Sequence, residues 1–147
     1  MLSSVRKPIF LALMAILLLS ILPACSSTAK SGGLSMMPMD KMPAEMQAAP
    51  SVVQAAYQFA AANPDVMKAI PCYCGCGNIG HTSNYSCYVQ GVDAQGRITF
   101  DDHALGCSLC VDITQDAMRL TQEGKSPPQI KAYVDATYVR YGTSNMP

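Results

Sequence analysis

The sequence predicts a mainly α-helical fold: one small domain of about four helices, with a cysteine-rich loop and a short β-hairpin in its middle. Three observations predict it. Apolar residues recur at helical intervals on both sides of a central segment. That segment is glycine-rich and contains short β-prone runs. Six cysteines cluster around it, and the outermost helical patterns contain none. We therefore expect the loop to be held between an N-terminal helix and a C-terminal helix pair.

Residues 1–24 have the layout of a lipoprotein signal peptide. The basic pair Arg6 and Lys7 precedes an uncharged apolar run that is shorter than the ~20 residues of a spanning helix. Leu22 and Ala24 before Cys25 resemble the bacterial lipobox. That resemblance implies a diacylated Cys25 as the first mature residue, and a chain anchored by lipid to the extracytoplasmic face of the cell membrane. An uncleaved signal anchor and a soluble secreted protein remain open as alternatives.

Residues 25–50 are predicted to be a lipidated, methionine-rich flexible tether, because they are rich in Ser, Gly, Pro and Met and lack apolar periodicity. Residues 51–147 are predicted to be the cysteine-rich helical domain. The formal net charge is +0 and there is no basic stripe, so we expect no nucleic-acid partner.

Capping and periodicity place the first helix of the domain. Ser51 and Gln54 have the spacing of a capping box and open a helix at 51–62. Asn63 and Pro64 interrupt it, and a short second turn follows at 64–69.

Two further helices are predicted near the C-terminus. One covers about 108–123 and stops at Gly124. The other starts at Ser126, which with Gln129 repeats the capping-box spacing and is followed by Pro127 at the first helical position. Its apolar stripe is the most regular in the chain and consists of Ile130, Tyr133, Val134, Thr137, Tyr138 and Tyr141.

The middle of the chain is predicted to lack helices. The β-prone runs 86–92 and 97–100 flank a turn at 93–96, which is typical of a hairpin. Residues 71–84 are glycine-rich and without periodicity. We expect a loop there whose conformation depends on something other than a hydrophobic core.

The cysteines are the strongest functional signal. In an extended segment Cys72, Cys74 and Cys76 would project to one side, and a helix start at Cys107 and Cys110 would favour the thiolate form. The candidate metal ligands are Cys72, Cys74, Cys76, Cys87, Cys107, Cys110 and His81, with His103 as an auxiliary ligand.

Several interpretations of this cluster stay open. The first is binding of a soft metal, with Cu(I) the leading candidate. The others are a zinc site, a disulfide-stabilised structural module, and thiol–disulfide or electron-transfer chemistry, including an Fe–S cluster. Copper is favoured because thioethers are soft ligands and the predicted tether is rich in methionine. These methionines could collect the ion and pass it to the thiol loop; they are Met36, Met37, Met39, Met42 and Met46.

The run Pro71-Cys72-Tyr73-Cys74-Gly75-Cys76, followed by Gly80-His81 and Cys87, resembles the bacterial PCYCGC-motif family of exported lipoproteins over about residues 50–142. The resemblance implies that the six cysteines and His81 form one functional unit. The sequence therefore predicts a lipoprotein outside the cytoplasm that sequesters Cu(I) or delivers it to a membrane metalloprotein or metal transporter, without a catalytic step. The copper assignment itself comes from ligand softness.

Overall fold

The computed structural model describes residues 33–146. It confirms a mainly α fold with a hairpin in the middle. Its helices and strands are α1 (Ala44–Gln47), α2 (Ser51–Ala62), α3 (Pro64–Met67), α4 (Ser108–Gln122), α5 (Pro127–Tyr138), β1 (Val89–Val92) and β2 (Ile98–Phe100). The expected signal peptide and the lipidation of Cys25 lie outside the described residues. Within residues 33–146, no helix is long and apolar enough to cross a membrane.

The starts of α2 and α5 differ in their capping. At α5 the predicted capping box forms, and the backbone N–H of Ser126 donates to Oε1 of Gln129 at 2.9 Å. At α2 the predicted box does not form. Ser51 is already the first helical residue, one position too late to cap, and Pro50 occupies the N-cap. The side chain of Gln54 instead donates to the backbone oxygen of Gln47 at 2.6 Å.

The core lies where α4 packs between α2 and α5. Each helix buries one stripe, as its apolar periodicity predicts. Fully buried members include Tyr57 and Phe59 of α2, Ile113 and Ala117 of α4, and Ile130 and Val134 of α5. These three helices form the scaffold on which the cysteine loop lies.

The prediction of a flexible tether is wrong for residues 33–50. This stretch contains a 3₁₀ turn at Met39–Lys41 and helix α1, and the Met42 and Met46 side chains are only 4% and 1% exposed. Met37 and Gln58 of α2 also exchange two hydrogen bonds, of 3.0 and 2.7 Å. Methionine is an unbranched, adaptable apolar side chain, so this segment completes the core without showing a helical period.

The loop before the hairpin has more regular structure than its sequence predicts. It contains the 3₁₀ turns Cys76–Ile79 and Asn84–Cys87. Gly75 (φ 85°) and Gly80 (φ 93°) flank the first turn in the left-handed region, which glycine adopts without steric cost. Cys72, Tyr73 and Cys76 belong to the hydrophobic core, so the expectation that the conformation of this loop depends on something other than a hydrophobic core is wrong for these residues.

Candidate metal centre

Six cysteines and two histidines converge on one region of the fold. The ligand atoms form overlapping groups within which every pair lies no more than 4.8 Å apart. The groups are Cys74, His103, Cys107 and Cys110; Cys76, His81, Cys87 and His103; Cys72, Cys74 and Cys76; and Cys72, Cys87 and Cys110. Every ligand predicted in the domain, including the auxiliary His103, is therefore part of one cluster.

The sulfur atoms are in contact but not bonded. The Sγ atom of Cys72 lies 3.4 Å from those of both Cys74 and Cys110, and the Sγ atoms of Cys76 and Cys87 are 3.6 Å apart. A disulfide would need about 2.05 Å, and all six cysteines are free. Two thiolates bound at about 2.3 Å to one tetrahedral zinc ion lie roughly 3.8 Å apart. The observed spacing is close to that of sulfur atoms that share a metal ion.

Different elements supply the sulfurs. Cys72 and Cys74 come from the irregular segment before Gly75, and the left-handed Gly75 redirects the chain so that Cys76 begins a 3₁₀ turn. The three Sγ atoms lie within 4.8 Å of one another. A straight extended segment would separate residues 72 and 76 by roughly 13 Å, so the chain curls at Gly75 and the extended conformation predicted for this run is wrong. Cys107 is the N-cap of α4, and Cys110 lies in the first turn of that helix. The helix start thus faces the loop.

The cluster has a buried base and a more open edge. The Cys72, Cys87 and Cys110 side chains are completely buried, and Cys76 is 3% exposed. Cys74 and Cys107 are half-buried. Buried thiols are shielded from bulky reactants, whereas the two edge thiols are accessible to a partner ligand.

Protons are unevenly shared among the thiols. The hydrogen bond from Cys72 lowers the pKa of Cys110 to about 6, a second from Cys87 acts in the same direction, and burial opposes both. Burial raises the pKa of Cys74, and the hydrogen bond with Cys110 raises the pKa of Cys87. These contacts favour the thiolate form of Cys110, whereas a metal ion would have to displace protons from Cys74 and Cys87.

Asp101 contacts both histidines. Its Oδ2 lies 3.6 Å from Nε2 of His81, and its Oδ1 accepts a 2.9 Å hydrogen bond from the backbone N–H of His103. The His81 ring is 11% exposed, and its Nδ1 is buried without a hydrogen-bond partner among the described residues. Nε2 of His103 lies 3.5 Å from Sγ of Cys74. A carboxylate beside one ring nitrogen is typical of a histidine that binds metal through the other.

Residues 14–145 match a family model described as "Protein of unknown function with PCYCGC motif". The chain belongs to this PCYCGC-motif family. The matched region begins well before residue 50, so it includes the methionine-rich segment, which the sequence resemblance placed outside. No curated protein and no solved structure shows a significant match to the chain.

In this PCYCGC-motif protein a buried polar network fixes the start of α4. The Tyr88 hydroxyl donates to the backbone oxygen of Cys110 at 2.9 Å and accepts from Thr114 at 2.7 Å. Nδ2 of Asn84 donates to Thr114 at 3.3 Å. Burial raises the pKa of Tyr88 well above its usual range, so the phenol stays protonated and can donate. The sequence gives no local signal for this network, because its hydrogen bonds join residues that lie far apart in the chain.

The C-terminus of the PCYCGC-motif protein contacts the thiol loop. Asn145 pairs with Cys72 twice: Oδ1 accepts from the Cys72 N–H at 2.7 Å, and the Asn145 N–H donates to the Cys72 oxygen at 3.0 Å. Its Nδ2 also donates to Sγ of Cys76 at 3.5 Å. A Cβ atom at Gly142 would lie 2.8 Å from the Tyr73 oxygen, so this close approach requires glycine. Neither Gly142 nor Asn145 belongs to a sequence motif that would have predicted this contact.

The five methionines at positions 36–46 of this family member have packing roles. Met42 and Met46 belong to the hydrophobic core, and Met36, Met37 and Met39 are partly buried against it. A buried thioether cannot collect an ion from solution. The predicted auxiliary ligand role is therefore not supported at Met42 and Met46, and it stays a prediction at the other three.

Proposed function

We propose that this protein is a lipid-anchored, extracytoplasmic metal-binding protein whose cargo is a soft ion, Cu(I), which it sequesters or delivers to a membrane partner. One observation carries the proposal: six thiols and two imidazoles converge in a cluster whose base is buried. So many soft donors in contact bring a high cost of desolvation and thiolate repulsion, which a bound cation would offset.

The donor chemistry supports copper and also makes zinc a second candidate. Thiolates are soft ligands that select Cu(I), and three of them suffice for a trigonal site. The groups Cys74, His103, Cys107, Cys110 and Cys76, His81, Cys87, His103 have the Cys₃His and Cys₂His₂ compositions of structural zinc sites. Metal analysis distinguishes the two candidates.

The open edge supports a delivery role. An ion held only by buried thiols would exchange slowly, because a partner's ligand has to approach the metal. Cys74 and Cys107 are half-buried, and His103 beside them is not fully buried. We place the exchange route at this edge.

Lipid anchoring of Cys25 would keep the domain close to the membrane. Met37 is already hydrogen-bonded to α2. The 11 residues between it and Cys25 span at most roughly 40 Å when fully extended. This short reach suits a partner embedded in the same membrane.

A thiol–disulfide oxidoreductase is the alternative from another class. The lowered pKa of Cys110, 3.4 Å from Cys72, favours it. Reactive cysteines, however, are partly exposed so that a substrate disulfide can approach, and both of these side chains are completely buried. Metal binding therefore explains more of the geometry.

The test is metal analysis of the full chain, exported by a bacterial host and purified anaerobically in detergent without chelator. We expect stoichiometric copper, and thiols that titrate only after the metal is removed. A Cys72→Ser, Cys110→Ser double variant should lose the copper while keeping its helical circular dichroism. Wild-type protein without metal would contradict the proposal, whether its cysteines are free or oxidised. The Cys25→Ser variant tests the anchor separately, and we expect it to be absent from the membrane fraction.

A further inference from the structure

We infer that the cluster is two adjacent metal sites, each made of three cysteines and one histidine, with different access to solvent. The inference rests on the proposed function and deepens it. It divides all eight donors into two sets without sharing any. One ion would be the exchangeable cargo and the other a structural ion.

The outer site consists of Cys74, His103, Cys107 and Cys110. All pairs of their ligand atoms lie within 4.8 Å. Nε2 of His103 is 3.5 Å and Sγ of Cys110 is 3.7 Å from Sγ of Cys74. Cys74 and Cys107 are half-buried, so this site forms the open edge.

The inner site consists of Cys72, Cys76, His81 and Cys87. Cys76, His81 and Cys87 share one group, and Cys72 lies within 4.8 Å of both Cys76 and Cys87 in others. All three cysteines are buried, and the unpartnered, buried Nδ1 of His81 supplies a fourth donor. Asp101 beside the other nitrogen of that ring favours the tautomer in which Nδ1 is free to bind metal.

The two sites meet at Cys72, whose Sγ is 3.4 Å from those of Cys74 and Cys110 in the outer site. A tetrahedral metal ion binds four ligands, so eight donors are more than one ion can use. Because the inner donors are more deeply buried, the inner ion should dissociate more slowly than the outer one.

The experiment uses Cd²⁺ as the probe, added to the reduced, metal-free full chain in detergent. Native mass spectrometry should show two ions per chain, and ¹¹³Cd NMR should show two resonances of equal intensity. A chelator should remove the ions in two kinetic phases. Native mass spectrometry of the copper-loaded chain then shows whether the number of bound copper ions equals the number of Cd²⁺ ions.

Single-site variants test the partition. Cys107→Ser should abolish the fast phase and leave one ion, and serine is a favoured N-cap, so α4 should persist. Cys87→Ser should abolish the slow phase. His103→Gln and His81→Gln repeat the two tests if a cysteine variant loses its helical circular dichroism.

Three outcomes overturn the inference while leaving metal binding intact: one ion per wild-type chain, four or more ions bound in an all-or-none step, or folded outer and inner variants that lose both ions together. No Cd²⁺ and no copper binding by the folded, reduced chain would overturn the proposed function as well. The failures are therefore distinguishable.

Discussion

At the scale of single residues, Asn145 connects the chain's C-terminus to its thiol loop. It holds both backbone groups of Cys72 and donates its side-chain N–H to Sγ of Cys76. A hydrogen bond to a thiolate stabilises its charge and fixes its direction, and such supporting contacts change metal affinity by about 10- to 100-fold. Asn145 is therefore expected to be a positioning residue for the centre.

Replacing Asn145 by aspartate separates its two side-chain roles. Asn145→Asp keeps the oxygen that accepts from Cys72 but loses the N–H that donates to Cys76 and places a carboxylate near its sulfur. We expect metal transfer to a chelator to become about 10-fold faster. Thr143→Ala, at an exposed position of the same segment, is the matched control and should transfer metal at the wild-type rate. Equal rates for both variants would show that Asn145 has no influence on the metal.

At the scale of elements, the start of α4 depends on the hydroxyl of Tyr88. Tyr88→Phe removes the donor to the Cys110 oxygen and leaves Thr114 without its acceptor on Tyr88. We expect the free energy of unfolding to fall by about 1 to 2 kcal/mol, the usual cost of a broken buried hydrogen bond. Chemical denaturation of the reduced, metal-free chain measures it.

The control for this prediction is Tyr85→Phe. Tyr85 is also buried, and its hydroxyl makes no hydrogen bond to another described residue, so its loss should change stability by less than about 0.5 kcal/mol. An equal effect of both variants would mean that the network around Cys110 contributes nothing specific.

Helix α1 allows a test that distinguishes packing from metal binding. Met46→Ala should lower the free energy of unfolding by about 2 to 4 kcal/mol because it leaves a cavity, whereas Met46→Leu should cost less than about 1.5 kcal/mol. Neither should change the copper content. A folded Met46→Leu variant that binds less copper would show that the thioether is a ligand after all.

The predictability of each element follows from the range of the interactions that form it. The end of α2, the end of α4 and the start of α5 could be predicted because Asn63, Gly124 and Pro127 act locally. The packing of residues 33–50 could not, since turns of three or four residues show no period. The thiol cluster could be predicted because six cysteines and two histidines fall within residues 72–110 and because the family resemblance implies one functional unit. Its support by Asn145 could not, because that contact joins residues 73 positions apart.

At the scale of the whole molecule, metal should stabilise the loop more than the helices. The helices rest on the apolar core, whereas much of the loop from 74 to 82 is exposed and held by a few turn hydrogen bonds. Removal of the metal should speed amide exchange in this segment, while α4 beyond Thr114 and α5 stay protected. Hydrogen exchange with mass spectrometry checks this. Unchanged exchange in the loop would mean that the thiol cluster is rigid without an ion.

The central claim is that sulfur from this cluster binds the metal, and X-ray absorption at the metal edge tests it most directly. The sample is the full chain carrying the metal with which it was purified. The account predicts a nearest shell dominated by sulfur, at about 2.3 Å for zinc, with a minor nitrogen contribution from imidazole. A shell made only of nitrogen and oxygen, typical of adventitious surface metal, would contradict it.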